Sequence, residues 1–262
     1  MNAVKRNNVK VLGSGERTLM FAHGYGCDQN MWRCLTGPFQ DDYKIVLFDY
    51  VGSGQSDPAA FDRSRYSTLS GYVQDVLEII DELGLERINF VGHSVSCMIG
   101  GLAALERPEK FESLVMIGPS PCYINDDGYT GGFSRTDIEG LLDLLASNYL
   151  GWSRTMTPII MGNPDRPELT EELEASFCRT EPIFAQHFAR VTFLSDNRSD
   201  LPNIKTRTLI LQCREDAIAP EVVGEYVHAS IPESELILLE ATGHCPHLSA
   251  AGEVAEAMRR FL

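Results

Sequence analysis

The sequence has 262 residues, of which 44% are hydrophobic, and this is enough for one large core in a single α/β domain that carries an insertion. The net charge of −15 and the isoelectric point near 4.8 argue against nucleic acid or an anionic membrane as a partner, because both attract basic surfaces. The sequence has no signal-peptide-like stretch and no run of about 18 apolar residues, so we expect a soluble, cytoplasmic protein.

Seven cysteines form an odd set without a C-x-x-C pair, and a chain of this length does not need disulfides. We therefore interpret them as reduced thiols. Cys245 and His247 lie beside His244, but no second ligand pair has a spacing typical of zinc sites. We expect neither a metal nor a cofactor.

Two short apolar runs near the amino terminus, Val9–Leu12 and Arg17–His23, predict strands joined by a Gly-Ser-Gly turn in a hairpin-like start. The second run ends in His-Gly-Tyr-Gly, where two glycines allow the backbone amides to point inward. The amide of Tyr25 is a candidate oxyanion donor and its ring a candidate pocket wall. The alternative is a glycine loop that only turns the chain. His23 is interpreted as a hydrogen-bonded structural residue.

The next run, Lys44–Tyr50, is nearly continuous in apolar residues, which is typical of a parallel strand buried on both faces. The turn at 52–54 has a G-x-G pattern without a third glycine or an immediate helix, so it is a weak indication of a dinucleotide site. Apolar residues at helical spacing then predict a covering helix over Leu69–Leu83, which ends at Gly84.

The stretch Ile88–Ala104 changes from a strand pattern to a helix pattern through the turn Gly-His-Ser-Val-Ser. A serine on such a turn is presented at the end of the strand, and Gly92 lets strand and helix pass closely. Ser94 is therefore a candidate nucleophile. The amide of Val95, the first residue of the helix, would point at an oxyanion next to Ser94.

The match to the elbow pattern G-x-S-x-G is incomplete, because Ser96 stands where the second glycine is expected. A short pattern of this kind also arises by chance. The alternative is an ordinary strand-to-helix turn with a capping serine, and the rest of the chain has to decide between the two.

A strand over Ser113–Gly118 is followed by a segment, about 122 to 200, in which helical patterns follow one another without a long apolar β run. A helical insertion between two strands is expected to lie over the strand ends as a lid. Simple packing between lid helices is the alternative for any one of its apolar residues. The predicted helices are Asp137–Tyr149, Trp152–Met161, Glu168–Arg179 and Pro182–Leu194, and the candidate substrate-binding residues are Phe133, Leu142, Trp152, Phe184, Phe188 and Phe193.

Strand and helix patterns resume after the lid and place two polar groups after neighbouring strands. Asp216 follows the first of these strands and His244 follows the second. Ile218, shortly after Asp216, joins the candidate substrate-binding residues. The predicted elements are a strand over Thr208–Cys213, a helix from about Pro220, a strand over Glu235–Glu240 and a last helix over Glu253–Phe261.

A serine hydroxyl needs a base within hydrogen-bond reach, and that base needs a carboxylate that fixes its tautomer. The chain order Ser94, Asp216, His244 provides both at the sheet edge where the elbow emerges. Glu215 competes for the role of the acid, but the shorter Asp216 can be held more rigidly. His247 competes for the role of the base, but His244 leaves its strand directly after a glycine.

The segments GHSVSCMIG, HGYGCDQ, FDYVGSGQSD, SPCYINDDGYTGGF and GHCPHLS resemble the RsbQ-type branch of the α/β-hydrolase family, which includes plant karrikin and strigolactone receptors. The similarity extends over essentially the whole chain. It implies a mostly parallel eight-stranded sheet flanked by helices, with a four-helix, V-shaped lid inserted after the sixth strand. It also implies the triad Ser94, Asp216 and His244 with the oxyanion amides of Tyr25 and Val95. The domain division is then 1–121 and 201–262 for the core and 122–200 for the lid.

Two functions follow from this resemblance. The first is a serine hydrolase that acts on a small apolar ester or lactone through an acyl-enzyme. The second is a signalling protein or ligand receptor of a stress-response pathway that works with a partner phosphatase and hydrolyses its ligand slowly. Relatives with an aspartate nucleophile are disfavoured, because position 94 is a serine.

Overall fold

The computed structural model describes residues 2–262 and contains one sheet with the strand order β1-β3-β2-β4-β5-β6-β7. Strand β1 is antiparallel to β3, and all other pairs are parallel. The strands are β1 (Lys10–Leu12), β2 (Arg17–Ala22), β3 (Tyr43–Leu47), β4 (Ile88–His93), β5 (Phe111–Ile117), β6 (Thr208–Glu215) and β7 (Ser234–Thr242).

The described chain has seven strands, so the expectation of eight was wrong, and the helical insertion follows the fifth strand instead of the sixth. The apolar runs of the sequence themselves correspond to these seven strands, and the eighth came from the resemblance alone. The residues before β1 form a short helix, Ala3–Arg6, whose first turn is capped by the Asn2 side chain. This stretch therefore adds no strand to the sheet.

The hairpin-like start was also wrong. β1 and β2 are not neighbours, because β3 lies between them and pairs with both. The chain therefore reverses direction across the end of β3 between Leu12 and Arg17, and β1 and β2 lie on either side of β3. The pairing Val11↔Val46 places the antiparallel strand at the sheet edge, while β2 is in the interior.

Side chains of the parallel strands alternate between two buried faces of the sheet. In β2, Leu19 and Phe21 belong to one apolar cluster, and Met20 and Ala22 belong to the other. Each face is covered by helices, which is the usual arrangement of a parallel sheet. The helices are α1 (Ala3–Arg6), α2 (Arg33–Thr36), α3 (Leu69–Glu82), α4 (Val95–Glu106), α5 (Arg135–Ser147), α6 (Tyr149–Met161), α7 (Pro167–Arg179), α8 (Pro182–Phe193), α9 (Glu221–Ser230), α10 (Pro246–Ser249) and α11 (Ala251–Phe261).

Helices α5 to α8 follow one another between β5 and β6, in the segment where the sequence predicts four helices. The start of α5 is a capping box, in which Ser134 and Asp137 satisfy each other's backbone amides. Helix α6 ends at Gly162 in the left-handed conformation. No helix within residues 2–262 combines the length and the apolar character that crossing a membrane requires.

Candidate active site

The turn between β4 and α4 holds Ser94 in a backbone conformation that few non-glycine residues adopt, with φ 56° and ψ −124°. The Ser94 amide donates to the carbonyl of Ile117, and this bond fixes the turn against β5. Strand and helix approach so closely that a Cβ atom at Gly92 would lie 2.6 Å from the carbonyl oxygen of Ser96. The serine is thus held at the end of the strand.

The serine at the second glycine position of the elbow pattern has a structural role. The Ser96 hydroxyl donates to the carbonyl of His23, at the end of the neighbouring strand β2, and lies 2.9 Å from the Tyr50 hydroxyl. It therefore connects the start of α4 to two core segments. A glycine has no side chain to make these bonds, so the serine at this position adds two hydrogen bonds that the usual glycine would lack.

Three side chains form one continuous chain of hydrogen bonds. The Ser94 Oγ lies 2.8 Å from Nε2 of His244, and the His244 Nδ1 lies 2.7 Å from Oδ2 of Asp216. All three residues are buried. With the proton on Nδ1, the histidine donates to the carboxylate and presents a free electron pair to the serine hydroxyl. The structure thus brings together the three residues that chain order had put forward.

The carboxylate of Asp216 is held in place by its own loop. Its Oδ1 accepts hydrogen bonds from the amides of Ile218 (2.8 Å) and Ala219 (3.0 Å), which leaves Oδ2 for the histidine. The competing Glu215 is exposed at the end of β6, and its side chain makes no hydrogen bond or salt bridge with His244. Only the shorter acid is therefore placed to orient the imidazole.

The backbone of His244 is held from two sides. Its amide donates to the carbonyl of Ile160 in α6, and its carbonyl accepts from Nε2 of His93, at 2.8 and 2.7 Å. His93 immediately precedes Ser94, so the elbow and the histidine loop are also joined directly. Burial lowers the pKa of His93 well below its ordinary value, which keeps this ring neutral.

The competing histidine, His247, lies behind the site. Its ring packs 4.8 Å from the Trp32 ring and 4.3 Å from the His93 ring, and it makes no hydrogen bond with Ser94 or Asp216. Burial lowers the pKa of His247 to about 3. His247 is therefore a neutral core residue over the whole physiological range.

This burial predicts a loss of stability in acid. An unfolded histidine titrates near pH 6.5 and folded His247 at about 3, so the unfolded state binds the extra proton first as the pH falls. Stability is lost below about pH 6.5, and His247 alone accounts for about 2 kcal/mol at pH 5. Urea titrations between pH 7 and pH 5 should show a shallower pH dependence for His247→Gln than for wild type.

Exposed His228 on α9 provides the matched control, and His228→Gln should keep the wild-type pH dependence. A wild-type slope in the His247→Gln protein would contradict the buried, neutral state of this ring.

The two backbone amides proposed for the oxyanion site are free of protein partners. Among residues 2–262, neither the amide of Tyr25 nor that of Val95 donates to another protein atom. The loop that carries Tyr25 is fixed by His23, whose Nδ1 donates to the Gly24 carbonyl and whose Nε2 accepts from the Tyr50 amide. His23 is thus the hydrogen-bonded structural residue that the sequence predicts.

A cavity opens at Ser94 and His244 and extends beneath α5 to α8. Its other walls are largely apolar. Of the eight candidate substrate-binding residues, Tyr25, Trp152, Phe193 and Ile218 line this cavity, whereas Phe133, Leu142, Phe184 and Phe188 do not. The Phe184 ring packs instead on Phe61, with centroids 4.9 Å apart, and Phe188 stacks on Tyr72 at 4.4 Å.

Several wall residues were missed in the sequence. Trp152, Met156 and Ile160 line the cavity at i, i+4 and i+8 of α6, so helical spacing from Trp152 could have identified the other two. Tyr123, whose hydroxyl lies 3.4 Å from Ser94 Oγ, had no such signal, because it lies in an irregular loop. The remaining missed residues are Cys27, His93, Leu141, Leu173, Phe177, Thr192 and Cys245. In the described chain, no group of three His, Cys, Asp or Glu side chains is arranged so that it could hold a metal ion.

A serine on a strand-turn-helix elbow, met by a histidine and an aspartate from later loops of the same sheet, is the arrangement of an α/β hydrolase. Residues 19–257 match the family model described as "Alpha/beta hydrolase family". The chain therefore belongs to the α/β-hydrolase family, and the recognition of that family from its motifs is confirmed.

Relatives are known by several kinds of name. Karrikin insensitive 2 receptor CA of Petunia hybrida is 38% identical over 257 residues, which cover 98% of this chain and 95% of the relative. Strigolactone esterase D14 of Arabidopsis thaliana is 37% identical over 262 residues, which cover 100% of this chain and 98% of the relative. The structure of a hydrolase from Oleispira antarctica superposes with a TM-score of 0.97 at 45% identity, covering 99% of this chain and 95% of that one. Proteins similar to this chain are thus named receptors, esterases and hydrolases.

Proposed function

We propose that the protein is a serine hydrolase that cleaves a small ester or lactone, with Ser94 as nucleophile, His244 as base and Asp216 as the orienting acid. The observation that carries the proposal is the unbroken hydrogen-bond chain from Ser94 to Asp216, with Ser94 facing an apolar cavity. These are the parts that acyl transfer needs in one place.

The reaction proceeds in two halves. Ser94 Oγ attacks the carbonyl carbon while His244 Nε2 takes the hydroxyl proton, and the carbonyl electron pair moves onto oxygen. The amides of Tyr25 and Val95 stabilise that oxyanion. When the pair returns, the bond to the leaving oxygen breaks and His244 gives the proton to it. Water then attacks the acyl-enzyme by the same route, which releases the acid and restores Ser94.

The cavity limits the substrate to a small molecule. The cavity has a volume of about 30 Å³, which is room for about two waters. An ester of more than a few heavy atoms therefore enters only when wall side chains or α5 to α8 move. A lid at 122–200 over a core formed by 1–121 and 201–262 is part of the proposal.

Covalent labelling tests the nucleophile. A fluorophosphonate should add one mass increment to the Ser94 peptide, because His244 activates only this hydroxyl. The Ser94→Ala protein should remain unlabelled, and a parallel screen of short-chain p-nitrophenyl esters and butenolide lactones should reveal turnover in the wild type only. Labelling of Ser94→Ala at the wild-type rate would rule out Ser94 as the nucleophile.

Phe193 and Phe133 form a matched pair for testing the pocket. Phe193 lines the cavity. Phe133 lies in a loop whose backbone is hydrogen-bonded to that of Tyr123, and the Phe133 side chain does not line the cavity. Phe193→Ala should shift the preferred acyl chain by about two carbons toward longer esters, since it removes a large wall side chain. Phe133→Ala should keep the wild-type preference. The measurement is kcat/KM for p-nitrophenyl esters with acyl chains of C2 to C8. Equal shifts in the two variants would refute the assignment of Phe193 to the cavity wall.

A second candidate function is favoured by the similarity to a protein named as a receptor over 98% of this chain. In this proposal the ligand alters the four-helix segment, a partner such as a phosphatase responds, and hydrolysis is slow. Saturable ligand binding with a kcat several orders of magnitude below the usual range of about 1–1000 s⁻¹ would support it. Rapid turnover of every tight-binding ligand would contradict it.

A further inference from the structure

The loop that carries the Tyr25 amide is a tight turn. The Cys27 amide donates to the Gly24 carbonyl at 3.3 Å, and Gly26 has a left-handed backbone with φ 73°. Tyr25 and Gly26 are therefore the two central residues of the turn. The Tyr25 amide has no protein partner among residues 2–262, so its direction is set by the turn as a whole.

The first half of the turn is fixed to the core. Nδ1 of His23 donates to the Gly24 carbonyl at 2.8 Å. Gly24 also packs closely on the elbow, because a Cβ atom added to it would lie 2.6 Å from Nδ1 of His93 and 3.2 Å from Cβ of Ser94. These contacts hold the turn at Gly24 and do not involve the residues from 26 onward.

The second half of the turn is held by α7, a helix of the insertion. The buried Ser176 hydroxyl donates to the Gly26 carbonyl at 3.0 Å. The Phe177 ring lies directly against Gly26, since a Cβ atom there would be 2.4 Å from the ring. On the same face of α7 as Ser176, Nη2 of Arg179 donates to Oδ2 of Asp28 at 3.0 Å. The turn is thus fixed between the elbow and α7.

The partner of Arg179 is a buried, charged group. The Asp28 side chain is 6% exposed, and its Oδ1 caps the short helix Gln29–Trp32 by accepting from the Asn30 amide at 2.9 Å. Burial raises the pKa of Asp28, but the hydrogen bonds from the Asn30 amide and Arg179 outweigh it, so the pKa lies below its ordinary value. A buried carboxylate that loses its partner is costly, so replacing Arg179 should shift Asp28 and the turn beside it.

We propose that Ser176 and Arg179 are positioning residues for hydrolysis, which keep the Tyr25 amide in the place where it binds the oxyanion. The proposal rests on the proposed hydrolase function and gives the insertion a part in catalysis beyond forming the cavity wall. Neither side chain lines the cavity, so both act through the backbone of residues 24–28. Movement of α7 away from the core breaks both hydrogen bonds, so the amide is aligned only while α7 is docked.

Ser176→Ala and Arg179→Gln test the proposal. Removal of a complete oxyanion donor lowers kcat by about 100- to 1000-fold, and a loosened donor should lose part of this, about 3- to 30-fold in each variant. Because the lost interaction is made in the transition state, kcat/KM should fall by the same factor. Arg179 is more than half exposed, so its replacement should leave the protein folded. Wild-type kcat in both variants would overturn the proposal.

Two changes in the same insertion serve as matched controls. Glu174→Gln removes an ion pair between α7 and Arg154 of α6, at 3.2 Å, that does not involve the turn. Ser147→Ala removes an exposed hydroxyl that donates to a carbonyl of its own helix. Both should keep the wild-type kcat. Losses as large as those of Ser176→Ala and Arg179→Gln would show that any disturbance of the insertion slows hydrolysis, which contradicts a specific role for the two residues.

Inhibitors separate the position of the oxyanion site from general damage to the cavity. A trifluoromethyl ketone is attacked by Ser94 Oγ, the serine proton passes to Nε2 of His244, and the carbonyl oxygen becomes an oxyanion. The methyl ketone of the same chain length binds without forming this adduct to a significant extent. In both variants the inhibition constant of the trifluoromethyl ketone should rise by about 3- to 30-fold, and that of the methyl ketone should stay unchanged. Equal weakening of the two inhibitors would refute the positioning role.

The two proposals fail in different ways. Wild-type protein that hydrolyses no ester and binds the trifluoromethyl ketone no more tightly than the methyl ketone overturns the hydrolase function. Active wild-type protein, together with variants that match it in kcat and in both inhibition constants, overturns only the role of Ser176 and Arg179.

Discussion

Ser94→Ala and His244→Ala are each expected to lower the kcat of ester hydrolysis by roughly 10⁴- to 10⁶-fold, and Asp216→Asn by roughly 10⁴-fold. Without Ser94 there is no nucleophile, and without His244 the serine keeps its proton. Asp216→Asn preserves the shape but no longer accepts the proton of Nδ1, so the ring loses its tautomer and orientation. Steady-state assays of the purified variants measure these losses, and fluorophosphonate treatment of Ser94→Ala, which has no nucleophile to label, excludes contaminating esterase.

The three residues should also behave as a unit. Because the serine acts only through the histidine, the double variant Ser94→Ala/His244→Ala should be about as slow as either single variant. Losses that multiply in the double variant would show that the two residues act independently. That result would contradict the mechanism even if each single variant were impaired.

His247→Ala and Glu215→Gln are the controls for the two residues that competed for these roles. Neither side chain forms a hydrogen bond with Ser94, and both variants should keep kcat within about threefold of wild type once kcat is corrected for the folded fraction. An inactive His247→Ala protein beside an active His244→Ala protein would reverse the assignment of the base. Wild-type rates in all the variants would show that the triad does not drive hydrolysis.

The residues of the triad could be proposed from the sequence because each follows a strand of strong apolar pattern. Parallel strands bring their carboxyl ends to one edge, so chain order alone places Ser94, Asp216 and His244 near one another. The choice of Asp216 over Glu215 could be argued from side-chain length. The two amides that donate to Asp216 Oδ1 could not be predicted, because their positions depend on the exact course of the loop to Ala219.

The cavity wall was predicted less well for a physical reason. An aromatic residue on a helix of the insertion can face the cavity, another helix or the core, and its own segment does not distinguish the three. Phe188 and Phe193 lie on the same helix, yet only Phe193 lines the cavity, while Phe188 stacks on Tyr72 of the core. Which of the two rings faces the cavity depends on how α8 crosses the core, and the local sequence pattern does not specify that crossing.

The joint between α6 and the histidine loop could not be predicted either, although it holds the proposed base. The amide of His244 donates to the Ile160 carbonyl, the Thr242 hydroxyl donates to the Gly162 carbonyl, and Asn163 Nδ2 donates to the Thr242 carbonyl. These bonds join residues about 80 positions apart. Gly243 lies at the centre of the joint, with φ +81°.

Gly243→Ala should therefore damage both stability and catalysis. A Cβ atom at Gly243 would lie 1.8 Å from the carbonyl oxygen of Met161, and that backbone oxygen cannot move without disturbing the end of α6. The left-handed conformation and the overlap together should cost about 2 to 5 kcal/mol of unfolding free energy. The folded protein should lose about 100-fold in kcat, since a displacement of about 1 Å at His244 disrupts its alignment with Ser94.

Gly140→Ala is the same substitution at a position where it should stabilise the protein instead of destabilising it. Gly140 is exposed in the middle of α5, and nothing lies within 4 Å of the added methyl group. Alanine is the better helix former, so this variant should gain about 0.5 to 1 kcal/mol and keep wild-type turnover. Denaturant titrations and kcat values of both variants give the comparison. If Gly243→Ala matches Gly140→Ala in stability and rate, the end of α6 does not hold His244 in place and the proposed base is positioned by Asp216 and His93 alone.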